Sequence, residues 1–329
     1  MKKIISMILV TAMILSSLIA LTACGGGNSE ELKFGFGLTT STATENATSV
    51  KPGSSELAIT AAAVLVDADG KVVKAYIDAL EAVVEHTANG NATAPGEFLT
   101  KQEKGDAYGM VASGATTREW YTQVNAFCSV AVGKTKAEVQ ALMASNYKGT
   151  EEVINAGCTI YVSDLVGALC EAMDNAKASN AAANDTLKLG IVTKCEETNA
   201  TATVAGKNAL SVNIFAAAVN GEGKVSAATI DCVEVDFTFN ASGESTYNNT
   251  KVLNSKRELG FDYGMVAYSN GLVTKEWFEQ ADIFAAQCIG KNATEIVALA
   301  VNGYGTDAVK AAGCTMAVAG FVQAAAKIN

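Results

Sequence analysis

The tripeptide Gly-Cys-Thr occurs twice, as Gly157-Cys158-Thr159 and Gly313-Cys314-Thr315, each time at a turn just ahead of an apolar, Ala-rich segment that reads as a helix. A helix start offers backbone N–H groups without intrahelical partners and a positive partial charge. A phosphate placed there is stabilised without any basic side chain, and a Thr hydroxyl at that spot can carry a phosphate ester. The same hydroxyl can instead cap the helix, a task that suits Thr. Both readings stay open, and the survival of all three residues in otherwise diverged surroundings is what singles them out.

Other chemistry has little support. The chain carries no Walker loop, no GxGxxG after a strand, no HExxH and no GxSxG, and no helix with paired carboxylates at metal-ligand spacing. Its single histidine excludes a His-rich metal centre; His86 lies where an apolar run turns polar, so a solvated strand-end position is expected. Of eight cysteines, Cys24 belongs to the N-terminal segment. The other seven (Cys128, Cys158, Cys170, Cys195, Cys232, Cys288 and Cys314) form no CxxC pair, so no metal site is expected, and the odd count leaves at least one unpaired thiol. Buried free thiols acting as small hydrophobes are the simplest expectation.

The first residues give an address. Lys2 and Lys3 precede an apolar stretch ending in Leu21-Thr22-Ala23-Cys24, a lipobox. Residues 1–23 read as a lipoprotein signal peptide, Cys24 as the lipidated new N-terminus, and 24–31 as a flexible tether. Two or three acyl chains anchor stably where one does not, so the expected location is the outer face of a bacterial cell membrane. No other segment is long and apolar enough to span a bilayer.

The 329 residues are 49% hydrophobic, 18% charged and 7% aromatic, which excludes a disordered chain. With 24 basic against 34 acidic residues the charge is -10, and a pI near 4.8 argues against nucleic-acid binding. Loss of Lys2 and Lys3 with the signal leaves 22 basic residues against 34 acidic, a body that anionic headgroups repel.

The chain also repeats itself. Trp120, Phe127, Gly133 and Lys134 match Trp277, Phe284, Gly290 and Lys291 at an offset of 157; the Gly-Cys-Thr segments match at 156, and Gly70-Lys71 matches Gly223-Lys224 at 153. Two copies follow, 32–180 and 181–329, joined around 176–185. Each reads as a first strand, a long second strand, a turn (DADGK, NGEGK) and a third strand pairing antiparallel with the second. A Tyr-Gly-Met loop comes next. Then a helix shows one apolar face (Trp120, Val124, Phe127, Ala131; Trp277, Ala281, Phe284, Cys288), a further helix starts at Thr135 or Asn292, and Gly-Cys-Thr precedes the last helix. The expected fold class is α+β: two tandem copies of a small antiparallel sheet with helices on one side.

These segments resemble the FMN-binding domain family found in subunits of the sodium-pumping NADH:quinone reductase and Rnf redox complexes. In that family a Ser/Asp-Gly-Ala-Thr motif opens a helix, and its last Thr is esterified to FMN by a flavin transferase of the ApbE type. The stretches from Ala156 to Ser163 and from Ala312 to Val318 look like versions of it, with Cys for Ala and Ala in the leading position. A literal Ser113-Gly114-Ala115-Thr116 precedes the Trp helix instead, and its counterpart from Tyr268 to Thr274 lacks the motif, so Thr116 is a lesser candidate. The lipobox followed by two units bearing Glu-Trp-x-x-Gln, Gly-Lys and Thr segments looks like the PplA-type lipoproteins of Gram-positive extracellular electron transfer.

The resemblance implies two covalent FMN groups, on Thr159 and Thr315, with Gly157, Cys158, Gly313 and Cys314 around them. Tyr108, Tyr263, Trp120 and Trp277 are candidates to stack on the flavin ring, with core packing the alternative for the tryptophans; Met110 and Met265 are gap-fillers or flavin neighbours. The implied partners are the flavin transferase, a membrane redox donor, an external electron acceptor and, through the lipid anchor, the membrane, with no nucleic acid. The expected role is an electron carrier rather than a catalyst with its own substrate. The alternative is a cofactor-free surface binding or structural lipoprotein, which would be colourless.

Overall fold

The computed structural model describes residues 31–328, so the signal segment 1–23, Cys24 and nearly all of the tether lie outside the described residues. Three long strands open each half. In the first they are β1 Lys33–Glu45, β2 Gly53–Val66 and β3 Val72–His86, extended by the two-residue strands β4 Ala92–Thr93 and β5 Lys177–Ala178. In the second they are β6 Thr186–Thr198, β7 Gly206–Val219 and β8 Val225–Phe239, of the same three lengths. The sheet orders are β4-β3-β2-β1-β5 and β6-β7-β8, antiparallel throughout. The fold is α+β.

The long strands hold because one face is buried along most of their length and both faces over their central stretches. Along β2, Leu57, Ile59, Ala61, Ala63 and Leu65 join one apolar cluster while Ala62, Val64 and Val66 join another. Side chains alternate across a strand, so these are its two faces. The first set meets Leu210, Val212, Ile214 and Ala216 of β7, so the two sheets pack face to face. The second set meets helices. Burial on both sides overrides the weak strand propensity of the three consecutive alanines. The layers therefore run helices, sheet, sheet, helices, and from Glu31 onward the contacts form a single unit. Each sheet carries its own half's helices on one side, and the far side is covered by the other half.

The helices of the first half are α1 Lys101–Lys104, α2 Trp120–Ala131, α3 Lys136–Gln140, α4 Glu151–Ala156 and α5 Ser163–Asp174. Those of the second are α6 Lys256–Leu259, α7 Met265–Tyr268, α8 Trp277–Cys288, α9 Ala293–Val297, α10 Asp307–Ala311 and α11 Ala319–Ala326. Two short strands, β9 Ala300–Val301 and β10 Tyr304–Gly305, sit between α9 and α10. Trp120, Val124, Phe127 and Ala131 are buried on α2 as their spacing predicts, and Thr135 and Asn292 cap α3 and α9 in capping boxes. The last helix of each half lies almost on its sheet: a Cβ on Gly35 would stand 1.9 Å from the Ala172 carbonyl oxygen, and one on Gly190 the same distance from that of Ala324.

His86 corrects one expectation. It does end β3, but it is fully buried, stacked on Phe239 at 4.4 Å with 5° between the rings, and its Nε2 lies 3.1 Å from the Gly243 carbonyl oxygen. β8 and its following turn, from the other half, cover the strand end. Burial holds the imidazole below its ordinary pKa, against the opposing pull of the Gly243 carbonyl.

Candidate functional site

Gly157 and Gly313 have φ of 109° and 108°. Gly157 directly follows α4, and Gly313 follows α10 by one residue, Ala312. Residues in that left-handed region terminate helices. Gly-Cys-Thr is thus the end of one helix rather than the start of the next, because α5 begins at Ser163 and α11 at Ala319. This corrects the expected position at a helix start, and with it the capping role: Thr159 and Thr315 lie four residues ahead of those helices and cap neither.

What holds each threonine is a glutamine from the Trp helix. Gln123 is fully buried, and its Oε1 accepts from the Thr159 amide N–H at 2.8 Å and from the Thr159 hydroxyl at 3.0 Å. In the second half Gln280 Oε1 accepts from the Thr315 N–H at 2.8 Å, its hydroxyl at 3.2 Å and the Met316 N–H at 3.0 Å. The amide's other end is anchored as well. Gln123 Nε2 donates to the Arg118 carbonyl at 2.9 Å and to the Thr116 hydroxyl oxygen at 3.3 Å; Gln280 Nε2 donates to the Lys275 carbonyl at 3.0 Å and lies 3.2 Å from Met265 Sδ. Both threonines are exposed, while Cys158 and Cys314 beside them are fully buried. The arrangement holds the hydroxyl of an exposed threonine with its proton committed to the buried amide.

The same helices fix the loop above. Glu119 accepts from the Met110 and Val111 N–H groups at 2.9 and 3.0 Å, and Glu276 from those of Met265 and Val266 at 2.7 and 3.2 Å. Each Glu-Trp-x-x-Gln segment thus ties two loops to one helix turn. The repeat aligns the halves in the sequence without revealing these bonds; the recurrence of Glu and Gln at either end of the segment is the signal of them that the sequence carries.

A basic residue stands beside each site. Arg118 Nη1 donates to the Ala156 carbonyl at 3.4 Å and lies where a Gly157 Cβ would be, at 1.9 Å; Lys275 Cε comes within 3.0 Å of the matching point on Gly313. Among the described residues neither cation has a carboxylate partner, although eleven ion pairs engage other basic groups. Arg118 also lines a shallow recess of about 340 Å³ with Thr117, Tyr121 and Asp106.

The stacking candidates are arranged otherwise. Trp120 and Trp277 are 6% and 3% exposed, in the helix–sheet core. The half-buried Tyr108 ring has Lys101 Nζ 4.8 Å from its centroid, and Tyr263 has Lys256 Nζ at the same distance. Each lysine also approaches the neighbouring tryptophan and bonds a carboxylate, Glu81 or Glu234. These four rings thus surround buried cations. Met265 touches the glutamine of its site, while Met110 packs against the core. Thr116 meets Thr159 through Gln123, so the lesser candidate and the leading one share one amide.

Burial pushes the Cys158 and Cys314 thiols up to about 11, so they stay protonated. The seven described cysteines are all free, six of them buried. No group of three potential metal ligands occurs among the described residues. A larger cleft of about 730 Å³ lies between the halves, walled by Phe34, Phe36, Glu171, Arg257 and Phe278; neither Thr159 nor Thr315 lines it.

A curated protein named chlorophenol reductase, from Desulfitobacterium hafniense, is 38% identical over 97 residues, which cover 26% of this chain and 30% of that protein. The chain thus matches less than a third of that relative's length. No family model matches the chain, and no solved structure matches it. Among the described residues no helix is long and apolar enough to cross a membrane.

Proposed function

We propose that the protein is a lipid-anchored, extracytoplasmic electron carrier of two tandem FMN-binding domains, with FMN esterified to Thr159 and Thr315. The observation that carries this reading is the repeated pair of an exposed threonine and a buried glutamine. Each hydroxyl belongs to an exposed residue and is oriented by a side chain that a merely structural cap would not need.

The residues present fit a phosphate ester. Arg118 and Lys275 put one cation without a carboxylate partner beside each Gly-Cys-Thr segment of an acidic chain, and a cation near a phosphate oxygen stabilises it. Thr159 would attack the flavin phosphorus of a phosphoanhydride donor held by the transferase. An Oγ–P bond forms, the anhydride P–O bond breaks, and the departing phosphate takes the electron pair. The hydroxyl proton passes to a base of the transferase, because an amide oxygen such as that of Gln123 orients a proton without keeping it. After esterification Gln123 still accepts from the Thr159 N–H, so the anchor survives the loss of the hydroxyl hydrogen. Bound FMN supplies the redox chemistry, and the chain supplies attachment, charge and tethering. Electrons would pass from a membrane donor to an external acceptor.

Peptide mass spectrometry on protein co-expressed with a flavin transferase tests this. An FMN increment is expected on the peptides holding Thr159 and Thr315. An increment on the Thr116 peptide alone moves the site to the other end of Gln123. Colourless protein without any increment sinks the redox reading. It leaves the cofactor-free binding lipoprotein, for which the cleft between the halves would be the place to look.

A further inference from the structure

With both tryptophans buried and Tyr108 and Tyr263 only partly exposed, a planar ring attached at Thr159 or Thr315 needs a more open aromatic surface. Burial alternates through both segments. In the second half Cys314, Met316 and Val318 are buried while Thr315 and Ala317 are exposed; in the first, Cys158 and Val162 are buried while Thr159 and Tyr161 are exposed. In extended chain, residues two apart share a face. Tyr161 therefore lies on the face of Thr159, and Ala317 on that of Thr315.

Both positions belong to an antiparallel bridge, and the partner differs. Tyr161 pairs with Lys148, and Ala317 pairs with Tyr304. Directly opposed residues set their Cβ atoms about 4.5–5.5 Å apart on one face. Between the halves the tyrosine has changed strand and kept its face. Tyr161 is 65% exposed and Tyr304 50%. Lys148 Nζ stands 5.4 Å from the Tyr161 centroid. The first half adds Tyr147, which is 61% exposed at φ 64°, where its counterpart Gly303 has φ 85°. A bulky side chain is disfavoured in that region, and such outliers concentrate at functional sites. Both loops are tied to the segment that follows in the same way: the Val162 N–H donates to the Tyr147 carbonyl and the Val318 N–H to that of Gly303, both at 2.8 Å.

We propose that Tyr161 in the first half and Tyr304 in the second are the surfaces on which the planar ring of the attached ligand stacks, with Tyr147 as a second contact in the first half only. This rests on the flavin reading above. A strand advances about 3.3 Å per residue, so Thr159 and Tyr161 are about 7 Å apart along the chain, and Thr315 and Tyr304, diagonal across their bridge, are about 7–8 Å apart. The five-carbon ribityl linker between phosphate and ring spans that separation. The two sites are unequal, and the first holds its ring more firmly.

The test uses full-length protein loaded by the transferase, with Thr315→Val or Thr159→Val leaving one site each. Loading is verified by mass, and emission is measured per attached flavin, because an aromatic stack quenches flavin fluorescence. Tyr161→Ala in the first-site protein and Tyr304→Ala in the second-site protein are each expected to raise emission about threefold or more. Trp120→Phe should leave it unchanged, and wild-type emission should be lower at the first site than at the second. Loaded protein whose emission ignores both tyrosines overturns the shelf while leaving the attachment intact. Wild-type protein that takes up no flavin overturns the attachment and the shelf with it. Since both tyrosines are exposed, unchanged thermal midpoints will separate loss of stacking from loss of fold.

Discussion

Thr116 and Thr159 are held by the two ends of one amide: Gln123 donates to the hydroxyl oxygen of the first and accepts from the hydroxyl and N–H of the second. A buried side chain with all of its hydrogen-bonding capacity in use is costly to replace. Gln123→Leu leaves the Thr159 N–H without its partner and the Arg118 carbonyl with only the Thr116 hydroxyl at 3.4 Å, and Gln280→Leu strands the Thr315 and Met316 N–H groups together. Each substitution is expected to cost about 2–3 kcal/mol in urea unfolding. Thr159→Val, which keeps the N–H bond, should cost under about 1 kcal/mol. Equal costs for the glutamine and threonine variants would show that the pair contributes nothing special.

Two kinds of glycine should separate on mutation. Gly35→Ala drives a methyl into the Ala172 backbone at 1.9 Å, where neither β1 nor α5 can yield, so a loss of about 3 kcal/mol or more is expected. Gly157→Ala meets only the mobile end of Arg118 but must hold φ near 109°, a strain of about 1–3 kcal/mol. Gly190→Ala should follow Gly35→Ala, because its Cβ meets the Ala324 carbonyl at the same distance. Thermal unfolding of the three variants decides the order.

The thiols should be silent in the native protein. Burial raises Cys128, Cys232 and Cys288 to about 12, as it does the half-exposed Cys195, where Glu197 and Glu196 add to the effect. At pH 8 a thiol with that pKa is only ~0.01% thiolate. Iodoacetamide is expected to leave all seven described cysteines unmodified under conditions that alkylate a free thiol completely, and to modify all seven in urea. Fast native labelling of Cys158 or Cys314, read by peptide mass, would contradict the sealed position assigned to them.

Much of this was legible in the sequence where local pattern and tertiary demand agree. The face of α2 follows from the spacing of Trp120, Val124, Phe127 and Ala131, and the cap at Thr135 from Glu138 three residues on. The start of the last helix was misplaced because Gly157 signals the end of a helix, and the apolar run that follows does not mark where the next one begins. Sheet-on-sheet packing hid in plain sight: the unbroken run from Ala61 to Val66 leaves β2 no face for solvent. His86 was misread because what covers it, Phe239 and Gly243, arrives from the other half of the chain. No local pattern encodes that.

The two halves differ most usefully where they meet. Lys327, just past α11, pairs with Glu103 at 2.7 Å; the residue matching Lys327 in the first half is Glu171, and the residue matching Glu103 is Glu258. One junction is thus closed by an ion pair, while the other sets two acids at the cleft between the halves. Burial, with the charges of Glu258 and Asp231 adding to it, pushes the Glu171 carboxyl up to about 7 against the Leu38 N–H that donates to it at 3.0 Å and the Asn175 side chain. A carboxyl whose pKa is raised on folding binds its proton more tightly in the native state. Its favourable contribution is present below the unfolded value near 4.5 and is lost as pH rises through about 7. Glu171→Gln should therefore match wild type near pH 4 and be more stable near pH 8, by about 1–2 kcal/mol once solvent screening is allowed for. Glu171→Lys, which recreates the ion pair of the opposite junction, should stabilise at pH 8 as well. Urea titrations at the two pH values read both effects, and a Glu171→Gln difference that does not change with pH would show that this carboxyl is ordinary.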